Sequence, residues 1–194
     1  MNNAKFLAII VAGLLSMPGA DAASCKYQVN DTDKFTKVLT RWTKWNPLMS
    51  EWHFSRIHHV PYVSVHSVDD EAHLLVKVES LIQQNHPPDE LYLENYFVVW
   101  EGTPLLIIME DASVVELHAV EDVRAGTHTS GDDEAGYKTT GTVVMKYALS
   151  EATKTALTAQ PVHTIRIITD SEEYEFEVHK KSVNDIAVAV ECGA

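Results

Sequence analysis

The chain is short of cysteine and of positive charge, and beyond its first residues it has no long apolar run. Its 2 cysteines permit one disulfide and leave no third thiol to compete for it. Its 15 Lys and Arg face 28 Asp and Glu, a net charge of -13 that argues against nucleic acid and anionic lipid as general partners. No apolar run past the N-terminal region is long enough to span a bilayer as a helix, so the mature chain reads as soluble. Catalytic signatures are missing as well. There is no Gly-x-Ser-x-Gly elbow, phosphate-binding Gly-Lys-Ser/Thr loop, dinucleotide fingerprint, His-Glu-x-x-His pair or EF-hand loop. The reading therefore leans away from an enzyme.

What is there begins with a secretion signal. Lys5 precedes FLAIIVAGLL, which carries no charge, and Pro18-Gly19 then lead to the small residues around Ala20-Asp21-Ala22. Charged, apolar and cleavage regions in that order predict removal of residues 1–22. Residues 23–194 remain, the length of a single domain, in a periplasmic or secreted setting. Lipidation of Cys25 is the rival reading. It is weakened by Ala22, which stands where a lipidation signal normally has a larger aliphatic residue. An oxidising compartment predicts a Cys25–Cys192 disulfide, which on the chain-entropy view contributes roughly 5 kcal/mol for so long a loop.

The C-terminal stretch is the most legible. Residues 162–169 carry apolar side chains on both faces and predict a central, covered strand. Asp170-Ser171-Glu172 turns the chain. Tyr174, Phe176 and Val178 then alternate with Glu173, Glu175 and Glu177, a half-buried strand with an acidic outer face. Ser182, with Asp185, predicts a capped helix whose stripe is Val183, Ile186, Ala187 and Val190.

Further upstream the pattern is mostly strand. Tyr27 and Val29 alternate, residues 30–33 read as a turn, Phe35 as a return to the core, and the next strand as running to about Trp45. Trp52, Phe54, Ile57 and Val60 continue an aromatic-rich edge, and residues 62–66 form a strand. Residues 69–85 fit both a helical stripe and an alternating strand; the neighbourhood favours a strand to about Ser80. Residues 96–100, 105–109 and 114–120 predict an antiparallel meander. Half of the 8 glycines then fall within residues 126–141, among Ser, Thr and Asp, and predict a mobile loop over about 125–140. Ser150 caps a short helix through Leu157.

The start, Cys25-x-Tyr27…Asn30…Asp33-x-Phe35-Thr36, resembles that of a loose group of small, uncharacterised exported bacterial proteins. So does the end: Tyr147-x-Leu149-Ser150 before a short helix, an Ile165-Arg166-Ile167-x-Thr169 strand, an acidic strand with Phe176, and a helix closing on Cys192. The likeness covers both ends and leaves residues 46–140 outside it. It implies export and a β-rich fold with a C-terminal helix, and it carries over no active site.

The expected fold class is α+β, mainly antiparallel: a curved sheet or two-layer β-structure of about seven to nine strands with a docked C-terminal helix. The expected function is non-catalytic binding. Sixteen acids against Lys77 and Arg124 between Asp69 and Glu134 point to a basic protein partner, with Glu90, Glu94 and Glu121 as candidate contacts. An immunity-type protein that blocks a basic toxin is one version. The alternative is a periplasmic metal-binding protein using His53, His58, His59 and His66, whose imidazoles suit zinc or copper. Their spacing matches no fixed signature. Asp132-Asp133-Glu134 for calcium and His128, Ser130 and Asp132 for catalysis are weaker readings. The export reading has a direct check: intact-mass measurement of the protein from the periplasm gives a chain that starts at Ala23 and carries no acyl groups.

Overall fold

The computed structural model describes residues 25–49, 57–88 and 97–193. The strands are β1 (Tyr27–Thr32), β2 (Leu39–Thr43), β3 (Asn46–Pro47), β4 (Ile57–Val68), β5 (Glu71–Gln84), β6 (Val98–Val99), β7 (Pro104–Met109), β8 (Val114–His118), β9 (Val123–Arg124), β10 (Gly126–Asp132), β11 (Gly136–Ala148), β12 (Val162–Ile168) and β13 (Glu173–Glu177). Helix α1 spans Glu151–Ala159 and helix α2 spans Asp185–Gly193. A curled half-barrel sheet runs in the order β1-β2-β4-β5-β11-β10, with β3 also on β4. A second sheet runs β13-β12-β7-β8, and β6 pairs with β9. All the pairings are antiparallel, and the fold is α+β with a C-terminal helix, as the sequence predicts.

The long strands follow from alternation. β4 and β5 pair from Ile57↔Ile82 to Val68↔Glu71, and β11 continues with Val143↔Val78, Met145↔Val76 and Tyr147↔Leu74. Period-two side chains therefore stack Val63, Val65, Leu74, Val76, Val78, Val143, Met145 and Tyr147 on one buried face. The second sheet adds Leu105, Ile107, Leu117, Ile165, Ile167 and Phe176 to the same hydrophobic cluster. β12 sits between β13 and β7, the central position its two-sided apolar pattern predicts. Residues 69–85 are resolved as strand: Asp69 and Asp70 form a tight turn and β5 runs on to Gln84.

Several expectations are corrected. β4 runs straight through Pro61. That residue's carbonyl faces β3, where it accepts from Leu48 N, so the missing N–H does not interrupt the β5 side. The 105–109 and 114–120 strands form the β7–β8 hairpin, but β6 leaves the meander and pairs with β9. Most of the stretch read as a loop is a hairpin, β10 with β11. Thr127 and Thr129 alternate with exposed residues, and Thr129 shares a 2.9 Å hydroxyl bond with Thr139 across the ladder. Glycine is required at Gly131, which has φ +121° and lies against the Gly136 carbonyl where a Cβ would collide. Ser182 does not cap α2; its hydroxyl donates to Pro47 O at 2.9 Å, and the helix begins after a turn, at Asp185. The expected signal peptide, Trp52, Phe54 and Tyr96 lie outside the described residues.

Helix α2 packs on β4 and β2, with Gly193 against Val65 and Thr43. Helix α1, capped by Ser150 through Thr153 N, packs on α2 and β8. Cys25 and Cys192 are disulfide-bonded, with Cα atoms 5.5 Å apart. Tyr27 OH donates to Cys192 O at 2.8 Å beside the bond. Among the described residues, no helix is long and apolar enough to cross a membrane. Replacing Cys192 by Ser should lower unfolding stability by about 2–5 kcal/mol in oxidising buffer while the far-UV spectrum keeps its β-rich shape; denaturant titration checks it.

Candidate binding surface

The two sheets share one core, so their outer faces decide what the molecule can touch. The outer face of the long sheet is closed by its own residues near β2 and β4, while toward β11 it holds an open cleft of about 460 Å³ beside Tyr62, Leu81 and Thr140. Lys77 Nζ lies over the rings of Tyr62 (4.3 Å) and Trp45 (5.2 Å) and pairs with Glu79 at 2.6 Å. Trp42 packs edge-on against Trp45 and His66. Ser64, fully buried, donates to Thr43 O at 2.7 Å. Trp42 Nε1 is buried there with no hydrogen-bond partner among the described residues.

The outer face of the four-stranded sheet is different. The register sets Ile168 and Arg166 of β12 beside Glu173 and Glu175 of β13, and Leu106 and Ile108 of β7 beside Glu116 and Val114 of β8. Leu106, Ile108 and Ile168 are half-buried, and Val114 is 56% exposed. Glu173, Glu175 and Glu177 are exposed along one margin and Glu116 along the other. Arg166 bonds Glu175 through Nε (3.1 Å) and Nη2 (2.7 Å) and lies 3.8 Å from Glu173. The result is a shallow apolar row with acidic margins. Its shape suits a protein surface, not an enclosed small molecule. A cleft of about 800 Å³ lies elsewhere, between α1, α2 and the start of β2. Arg41, Lys154, Asp69, Asp70, Glu151 and Glu191 line it, and Lys154 is already paired with Glu151 at 2.8 Å, so it is open and mixed in charge.

The histidines expected to share a metal are spread out. His53 lies outside the described residues. His58 and His59 are neighbours on β4 and so point to opposite faces. His58 and His66 do share a face, but eight strand residues separate them by about 26 Å, too far for one ion. Among the described residues, no group of three or more His, Cys, Asp or Glu is gathered for a metal. His59 instead bonds Ser80 Oγ through Nδ1 at 2.8 Å and lies against Tyr174 and Phe97. His66 stands directly opposite His73, whose Nε2 is 3.3 Å from Glu71. Of the acids expected to meet a partner, Glu90 and Glu94 lie outside the described residues and Glu121 is exposed. The row Glu173, Glu175 and Glu177 lies beyond the acid-rich middle of the chain. Its strict alternation with Tyr174 and Phe176 was the signal for it.

The β1–β2 hairpin makes a second feature. Phe35, expected in the core, is 94% exposed at its tip. Asp33 is the reason. Its carboxylate accepts from Phe35 N (2.9 Å), Thr36 N (2.6 Å) and Thr36 Oγ1 (2.9 Å), which turns the chain before Phe35 can reach the body. These bonds, the Thr36 backbone first, hold the Asp33 carboxyl below its ordinary pKa.

Comparison of the chain with protein-family models, curated proteins and solved structures finds no match.

Burial holds His59, His66 and His73 below the ordinary imidazole pKa, assisted at His66 and His73 by the positive charge of Lys146. A depressed imidazole pKa means that the unfolded chain takes up protons first. Stability is then full above the unfolded value and falls as pH drops from about 6.5 toward the folded values. Thermal midpoints should decline between neutral pH and about pH 5, and His59→Gln, which can bond Ser80 without titrating, should flatten part of that decline.

Proposed function

We propose that the protein is an exported, non-catalytic binding module that meets a basic protein partner through an acidic surface. The observation that carries this reading is the outer face of the second sheet, where Leu106, Ile108 and Ile168 lie between exposed Val114 and Glu116 on one margin and the row Glu173, Glu175, Glu177 on the other, with Arg166 among them and bonded to Glu175. An apolar centre excludes water and supplies affinity; acidic margins select a basic rim and speed its approach. The chain's net charge of -13 adds a long-range field of the same sign. An immunity-type protein that masks a basic toxin is one form of this reading. Export is supported by the N-terminal signal pattern and is compatible with the disulfide. The metal-handling alternative has less behind it, since His58, His59 and His66 do not converge.

A photo-crosslinking residue at position 114, in cells that export the protein, tests the surface. The expected result is an adduct with a basic protein, weakened by high salt and lost on Glu175→Lys with Glu177→Lys. The same probe at position 144, on the outer face of the long sheet, should give none. Equal labelling at both positions, or an adduct indifferent to charge reversal, sinks the reading.

A further inference from the structure

The β1–β2 hairpin is built as a rigid arm, and its tip does nothing for the fold. Phe35 is 94% exposed, so it gives the core no burial. Yet its position is closely determined. The Asp33 carboxylate ties down Phe35 and Thr36, Lys37 takes the left-handed conformation at φ 63°, and Lys37 N and Asp33 N close the turn onto Asp33 O (3.0 Å) and Val38 O (2.9 Å). The turn end of β2 is held too. Leu39 N donates to Asp69 Oδ1 (3.0 Å), and Asp69 N donates to Leu39 O (2.8 Å). The disulfide at Cys25 fixes the other strand's start. An aromatic ring displayed on so constrained a turn loses little freedom when it is buried by something else. Such rings are common anchors of protein interfaces.

The arm is also basic on an acidic molecule. Lys26, Lys34, Lys37, Arg41 and Lys44 lie on or beside it. Its acids are engaged with its own backbone, Asp31 with Thr32 N at 2.8 Å and Asp33 with the turn. An aromatic knob flanked by Lys34 and Lys37 needs an apolar seat with acidic margins. The outer face of the β13-β12-β7-β8 sheet has that chemistry. An anionic bilayer is the poorer occupant, because a single exposed ring is a marginal membrane anchor.

We infer that the Phe35 turn docks on the apolar row of a second copy of this chain, with Lys34 and Lys37 against Glu173, Glu175 and Glu177. This rests on the reading of that face as a binding surface. The contact joins two different patches, so it is head-to-tail and does not close on itself as a two-fold dimer would. A hairpin tip covers less area than a standard interface, so the association is weak and grows with concentration.

Sedimentation equilibrium of the purified, disulfide-intact chain tests it. The expected result is an average mass that rises with concentration and falls back toward the monomer in high salt. Phe35→Ser should weaken self-association about tenfold or more, and so should Lys34→Glu with Lys37→Glu, or Glu175→Lys with Glu177→Lys. All these residues are exposed or half-exposed, so thermal midpoints close to the parent's confirm that the fold is intact. The decisive arm mixes Phe35→Ser with Glu175→Lys/Glu177→Lys. Each variant keeps the patch that the other lacks, so the mixture should form a one-to-one pair that neither forms alone. A monomer at every concentration, no pair in the mixture, or Phe35-dependent binding to anionic vesicles in its place overturns self-docking. A monomer that still cross-links a foreign protein from position 114 overturns self-docking alone. The absence of any adduct from that position overturns the reading of the face itself.

Discussion

The structure depends first on the register in which β4, β5 and β11 pair. From Ile57↔Ile82 to Val68↔Glu71, and from Tyr137↔Gln84 to Ala148↔His73, neither ladder slips by a residue. Side chains alternate with period two, so a single slip would send Val63, Val76 and Met145 outward and bring Tyr62, Lys77 and Val144 in. The turn at Asp69 and Asp70 sets this register. The same Asp69 holds Leu39 from both its backbone and its side chain. One short turn thus fixes both the central ladder and the turn end of the β1–β2 hairpin. The disulfide acts on the far side, tying the chain before β1 to the last turn of α2, which packs on β4 through Gly193 and Val65.

Much of this was legible in the sequence, for a consistent reason. Where apolar and acidic residues alternate, as in β13, residue type reports the face directly; β12 was read from its two-sided apolar pattern, and β5 fitted a helical stripe as well, was read as strand to about Ser80, and runs on to Gln84. Reading failed where local chemistry and tertiary setting disagree. Gly126, Gly131 and Gly136 look like loop residues, but the free edge of β5 offers a template on which β11 and then β10 can pair, and threonines alternate between the glycines. Pro61 looks like a boundary, but the strand presents its missing N–H away from β5. Phe35 looks like core by composition alone. Only the hydrogen bonds of Asp33 and Thr36 show that the chain reverses before the ring can be buried.

The histidines make the same point about sites. Closeness in sequence suggested convergence, yet on a strand adjacent residues diverge, and residues that share a face move apart by about 3.3 Å per step. His58, His59 and His66 became separate elements of one long strand. The useful cluster arose the other way, from residues far apart in sequence: Glu116 and Val114 on β8, Leu106 and Ile108 on β7, Arg166 and Ile168 on β12, Glu173 and Glu175 on β13. Counting acids along the chain located a charged middle portion. It did not show that the Glu173-Glu175-Glu177 row would flank an apolar strip, because that depends on the order β13-β12-β7-β8.

Charge segregation then gives the molecule a direction. Residues 26–44 are basic and form the β1–β2 hairpin at one edge of the long sheet, while the remainder carries the acidic excess. Opposite charges on one rigid body attract at short range only if some surface brings them together, and within physiological salt the field decays over about 8 Å. Among the described residues, the hairpin pairs with β4 of the long sheet, not with the strands of the acid-margined sheet. Phe35 adds the short-range component that charge lacks. An exposed ring costs solubility and gives the fold nothing, and an Asp-x-Phe-Thr turn that merely needed to reverse the chain would do so with any residue in the third position, since the bonds come from the backbone N–H of that residue and from Asp33 and Thr36. Neither the turn's hydrogen bonds nor burial in the core therefore determines which side chain stands at position 35.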